Sequence, residues 1–218
     1  MPSLSLVTPN QKGKVTFTVP IKTSLATNVK NQTVKASASI YASEVPKLIR
    51  VPDLELKLAS QLGLQVIGEY VSGSLPMKVG ESTTFAMTLF LSNLSNDLDN
   101  TEVIASLPLS ASAWENVVIP ESEKARLSYD PTSGKIRWKV GSLPAFTGKF
   151  SPVLKVTFHL RVTPTDSDRG KVIELLRETQ AFGKDIFINK EISSVKVNKV
   201  DTGSIDDDLV NLRGTTVQ

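Results

Sequence analysis

The sequence predicts an all-β fold, a sandwich or barrel of short antiparallel strands. Apolar and polar side chains alternate with a period of two in run after run, and Pro, Gly, Asn and Asp turns separate the runs. The absence of cysteine excludes a disulfide-stapled scaffold, thiol chemistry and Cys-bound metal.

The strands follow in order. Lys14–Ile21 places Val15, Phe17, Val19 and Ile21 on one face. Leu54–Leu58 alternates over a shorter span, and Ser82–Leu91 aligns Phe85, Met87, Leu89 and Leu91. Glu102–Leu107 and Lys135–Val140 continue the pattern, the second with Ile136, Trp138 and Val140 as its core face. Leu154–Val162 alternates most strongly and puts His159 with Lys155, Thr157 and Arg161 on the solvent side. Asp130-Pro131-Thr132-Ser133-Gly134 reads as a hairpin turn with glycine at a positive-φ position. Asn93–Asn100 reads as a polar loop, and Val172–Glu178 fits helical turns or a strand equally well.

Composition narrows the function classes. Hydrophobic residues at 40% and charged residues at 22% describe a folded chain rather than a disordered one. The formal charge of +3 hides an asymmetry: residues 1–50 hold seven Lys/Arg against Glu44 alone. Those cations are spaced singly through alternating segments and not gathered in a patch, so no nucleic-acid partner is expected. The start lacks a charged n-region and an apolar h-region, and no run is long enough to span a bilayer as a helix.

One internal repeat organises the chain. Gly13–Val19, Asn31–Ile40 and Ile49–Pro52 are matched later by Lys155–Val162, Ile173–Phe182 and the strand around Glu191–Val195. Two tandem modules explain this, the first lacking its front half, with Met1 a fragment start or an internal start codon. Chance likeness between two hairpins is the rival explanation. The expected division is a partial module at 1–53, a complete module at 54–201 and a flexible acidic tail at 202–218. A half-module of about fifty residues buries too little apolar surface to stand alone. Residues 1–53 are therefore expected to lean on the second module or to leave strand edges open.

The second module carries a recognisable set of segments. Gly68–Gly73 precedes Lys78–Phe85, Leu91–Leu98 precedes Val103–Pro108, and Leu127–Asp130 precedes Gly134–Ala145 with Trp138 and Gly141. This set resembles the conserved repeat domain of unknown function found in tandem in large bacterial cell-surface proteins. It departs at Pro144–Gly148, where the family's short turn is longer. The resemblance implies an immunoglobulin-like sandwich outside the cell membrane. Such a unit would act as a stalk, spacer or adhesion module, anchored through segments outside this chain. Its partners would be neighbouring modules of the same protein. It implies no activity and no cofactor.

Site candidates weigh against catalysis. His159 is a lone strand histidine with no positioned nucleophile, and no Gly-x-Ser-x-Gly elbow occurs. Glu121/Glu123 and Asp97/Asp99 are the nearest carboxylate pairs for glycoside hydrolysis, but both sit in turn-like stretches. Asp206–Asp208 and Asn96–Asp99 offer oxygen ligands for calcium without the calcium-loop pattern. The sequons at Asn31 and Asn93 carry no weight in a bacterial protein. The alternative to a spacer is a glycan- or protein-binding module. It would use Trp114, expected in a loop, with Asn93, Asn96 and Asp97 of the Asn93–Asn100 loop.

Overall fold

The computed structural model describes residues 28–42, 45–108 and 112–218, together with Lys12, Lys14, Thr16, Thr18 and Pro20. The expected core face of Val15, Phe17, Val19 and Ile21 lies outside the described residues.

Two antiparallel sheets build the body of the protein. The first has four strands in the order β5 (Leu62–Gly73), β6 (Thr83–Asn93), β11 (Leu154–Val162) and β8 (Ser112–Ile119). The second runs from β12 (Glu174–Asp185) through β7 (Leu98–Ser106) and β10 (Lys135–Leu143) to β9 (Leu127–Asp130). On the far side of β12, β13 (Lys190–Ser193) and β14 (Val197–Asp201) share one edge, each pairing with half of the strand.

This is the strand order of an immunoglobulin-like sandwich. β5, β6, β11 and β8 take the A, B, E and D positions, while β7, β12 and β13/β14 take C, F and G. The β9–β10 hairpin widens the C-F-G sheet beyond β7, as C′ and C″ do in variable-type domains, although here it follows D in the chain.

The alternating strands supply the core between the sheets. Phe85, Met87 and Leu89 lie opposite Leu160, Phe158 and Val156 within their sheet, and these six are buried together with Leu91 and Val162. Val103, Ala105, Ile136, Trp138 and Val140 close the core from the other sheet. Residues 172–178, open between helix and strand in the sequence, enter β12, where Leu175 and Leu176 are buried. The Asp130–Gly134 turn joins β9 to β10, and Gly134 holds φ at 66° as its position requires.

Trp138 is fully buried, and its indole N–H donates to the Glu123 carboxylate at 2.9 Å. Glu123, read from sequence as a solubilising turn residue, is only 6% exposed on a 3-10 turn at Glu121–Glu123. The correction has a physical reason: burying an indole is favourable when its N–H finds an acceptor, and the turn brings one.

The acidic tail expected to be flexible is folded against the sandwich. Asp207 caps the helix α1 (Asp208–Arg213), accepting from Leu209 N and Val210 N, and its other oxygen accepts from Tyr70 N at 2.9 Å. Ile205, Val210 and Val217 belong to the core. Gly68 is required here, because a Cβ would lie 2.6 Å from the Ile205 Cγ2. The sequence reading took the acid run as solvated and overlooked the apolar residues spaced through it.

Four further strands precede the sandwich. β1 (Thr33–Ala36) pairs with β4 (Leu54–Lys57), and β2 (Ser39–Ala42) pairs with β3 (Val45–Arg50). Thus β4, placed by the sequence reading at the front of the complete module, pairs with β1 and not with the sandwich sheets.

Trp138→Phe keeps most of the buried volume but deprives Glu123 of its indole donor. It should lower stability by about 1–3 kcal/mol, the cost of leaving a buried acceptor underused. Urea unfolding followed by Trp114 fluorescence and circular dichroism reads this loss. A midpoint within error of the natural chain would show that the bond contributes nothing.

Candidate joint between the ribbon and the sandwich

Three of the four residues singled out as ligand contacts meet at one end of the sandwich. Asn93 ends β6, Asp97 precedes β7, and Asn96 lies between them, so the expected polar loop shrinks to residues 94–97. Two of the three turn inward: Asn93 is 2% exposed and Asn96 fully buried.

Their partner is a carboxylate that sequence reasoning missed. Asp185, at the end of β12, is fully buried. Its Oδ2 accepts from Ser60 N and Asn96 Nδ2, both at 2.8 Å. Its Oδ1 accepts from Phe187 N at 3.0 Å and Ile188 N at 3.2 Å. Four donors aimed at one carboxylate replace the water that burial removes.

The network extends through the neighbouring amides. Ser60 Oγ donates to Asn93 Oδ1 at 2.6 Å and accepts from Ser95 N and Asn96 N. Asn93 Nδ2 donates to the Asn96, Leu143 and Pro144 carbonyls. Strands β6, β7, β10 and β12 are thereby fastened together at this end.

The same residues reach out to the preceding strands. Asn96 Oδ1 accepts from Asn31 N at 3.1 Å, and its Nδ2 also donates to Leu58 O at 2.8 Å. Leu58 N donates to Gln32 O, closing the β1–β4 pair beside the contact. Asp97 bonds Lys30 Nζ at 2.8 Å and accepts from Ala145 N at 2.8 Å. Lys57 lies over the Phe187 ring at 4.7 Å and donates to the Phe187 carbonyl. The Ala145 amide, then Lys30, holds the Asp97 carboxyl below its ordinary value of 3.8.

Trp114 is not in a loop. It sits on β8, half-buried, stacked on Tyr129 at 5.5 Å and tilted against Phe158 at 5.1 Å. Because Tyr129 is on β9 and Phe158 on β11, the ring ties the two sheets together. Trp114 lies opposite Leu160 of β11, a placement visible only once the register is known.

The remaining candidates stay apart. His159 is on the polar face of β11, and its strand neighbour in β8 is Glu115. Asp99 faces Lys184 in the β7–β12 pair, and Asp207 is spent on capping α1. Among the described residues, no group of three or more His, Asp or Glu is placed to hold a metal ion. No helix among them is long and apolar enough to cross a membrane.

Comparison with known proteins assigns no family. No family model matches the chain, and no curated protein matches it. Among solved structures, the chain is similar to the cohesin module of a family 33 glycoside hydrolase from Clostridium perfringens. That likeness has a TM-score of 0.38 and 16% identity, over 69% of this chain and 98% of the module. It is also similar to part of the full-length major pilin SpaD from Corynebacterium diphtheriae, with a TM-score of 0.32 and 14% identity. There the match covers 65% of this chain and 34% of the pilin. A third match is a GH20 exo-β-N-acetylglucosaminidase from Vibrio harveyi, with a TM-score of 0.31 and 12% identity, over 62% of this chain and 17% of the enzyme. All three likenesses are loose.

The Lys30–Asp97 contact should weaken in acid. A carboxyl held low in the folded state contributes stability that is complete above its unfolded value and fades as pH falls through the folded value. Amide exchange at Asn31 and Ala145, after correction for intrinsic rates, should therefore be flat well above the ordinary carboxyl value and accelerate as pH falls below it. Lys30→Met should flatten part of that acid response at Asn31. An unchanged profile would remove Lys30–Asp97 from the joint.

Proposed function

We propose that the chain is a non-catalytic structural module, a spacer or stalk unit of a bacterial surface protein. The observation that carries this reading is that the preceding strands and the C-terminal residues are held at opposite ends of the sandwich. The preceding strands attach at the end of the sandwich holding Asn93, Asn96 and Asp185. The C-terminal residues dock at the opposite end, where Gln218 N donates to Met77 O and Gly170 N to Val217 O. Strand β6 runs between these ends, from Thr83 beside Gly73 to Asn93 beside Leu62. Its eleven residues span about 36 Å at ~3.3 Å per residue. Segments held at opposite poles give the sandwich a fixed length between them.

A spacer also needs a joint that does not flex. A buried, hydrogen-bonded polar network fixes orientation in a way that apolar contact alone does not, because each donor and acceptor has one geometry that satisfies it. The glycan- or protein-binding alternative gains nothing from the geometry, since Asn93 and Asn96 are enclosed and Trp114 is engaged within the sandwich.

Nitrogen relaxation of the whole chain tests this reading. Amides of β1 and β4 should tumble with the same correlation time as those of β6. Asn96→Ala, which removes the contacts to Asn31 and Leu58, should let the ribbon tumble separately. Independent ribbon motion in the natural chain would contradict a rigid spacer.

A further inference from the structure

The strands that precede the sandwich repeat its closing half position by position. In β12 the second half forms a hairpin with β13 and the first half pairs with β14; β2 pairs likewise with β3, and β1 with β4. The registers coincide at an offset of 143 residues. Ser39↔Arg50 corresponds to Phe182↔Ser193, Ile40↔Ile49 to Gly183↔Ile192, and Ala36↔Leu54 to Thr179↔Val197. The link between the two partner strands matches as well: Val51 N donates to Ala38 O at 3.0 Å, as Ser194 N donates to Ala181 O at 2.9 Å. In sequence, the Lys-Val-Thr-Phe of residues 14–17 is repeated at residues 155–158, in β11.

The two copies differ in what covers them. β12 has a second neighbour: β7 pairs with its other edge, Val103 opposite Ala181 and Ile104 opposite Gln180. Among the described residues, nothing pairs with the corresponding edge of β1 and β2. Ile192 and Val197 pack against the sandwich core, whereas their counterparts Ile49 and Leu54 are 56% and 58% exposed. The open edge, Thr33–Ala42, carries one charge, Lys35, and no proline, so the stretch Ser37–Ser39 itself holds neither a charge nor a proline to block strand addition.

We infer that the β1–β4 ribbon is the F-G half of a second sandwich, and that its open edge at Ser37–Ser39 seats an antiparallel strand of the β7 type. The occupant is the opening half of such a sandwich. Its C strand would present small and β-branched residues, as Val103, Ile104 and Ala105 do, and its A-B-E-D sheet would cover Ile49 and Leu54. The inference stands apart from the spacer reading, since it concerns what completes the ribbon and not how the joint holds it.

The test adds the missing half in cis. A copy of residues 58–154 is placed ahead of residue 14 of the otherwise complete chain, and amide exchange is compared with the natural chain. Protection across Val34–Ile40 should rise by about a hundredfold or more, toward that of the matching β12 amides. Absence of that rise would overturn the inference, whether the added half stays unfolded or folds without the ribbon. Sedimentation of the natural chain supplies the second arm. A monomer at micromolar concentration with fast-exchanging β1–β2 amides is expected. A dimer that already protects those amides would make a second copy of the chain the occupant, and would equally overturn it.

Discussion

The Asp185 carboxylate is the constraint on which the arrangement of this chain depends. A fully buried carboxylate with no ion-pair partner among the described residues survives only if donors surround it, and four do. Those donors come from three places: the segment leading into β5, the loop between β6 and β7, and the turn after β12. Satisfying one charge therefore fixes where three loops lie. Asn96 passes that fixity outward, because the side chain that donates to Asp185 also holds Asn31 and Leu58 of the preceding ribbon.

The opposite pole uses a second carboxylate in a milder way. Asp207 caps a short helix and accepts from Tyr70 N, while Ile205, Val210 and Val217 supply the apolar contact. One end is thus held by an enclosed polar network and the other by apolar burial with a single polar clasp. The preceding ribbon sharpens the contrast. At the offset of 143 residues Asp185 corresponds to Ala42, so the ribbon has no such carboxylate at that position.

Much of the sandwich was legible in the sequence because its strands are amphipathic. Phe85–Leu91, Ile136–Val140 and Val156–Val162 announce their buried faces through period two, and Asp130–Gly134 announces its turn. The joint was hidden for a physical reason. Asn93, Asn96 and Asp97 look like an exposed polar loop until β12 brings Asp185 to them across ninety residues of chain. Polar residues spent on one another carry no periodicity. Glu123 was misread in the same way, since only its contact with Trp138 reveals why an acid is buried there. Trp114 and the tail failed in the other direction: their apolar groups lie in stretches whose polar neighbours suggested solvent.

The most direct measurement of the account is a distance between ribbon and sandwich in the natural chain and in Asp185→Asn. That substitution keeps the shape but turns one acceptor into a donor facing other donors. The chain has no cysteine, so spin labels at Arg50→Cys and Thr132→Cys report without interference. A single narrow distance distribution in the otherwise natural chain, broadened severalfold by Asp185→Asn with the sandwich still folded by circular dichroism, is the predicted result. A distribution already broad before the change, or equally narrow after it, would contradict the claim that this buried carboxylate fixes the joint.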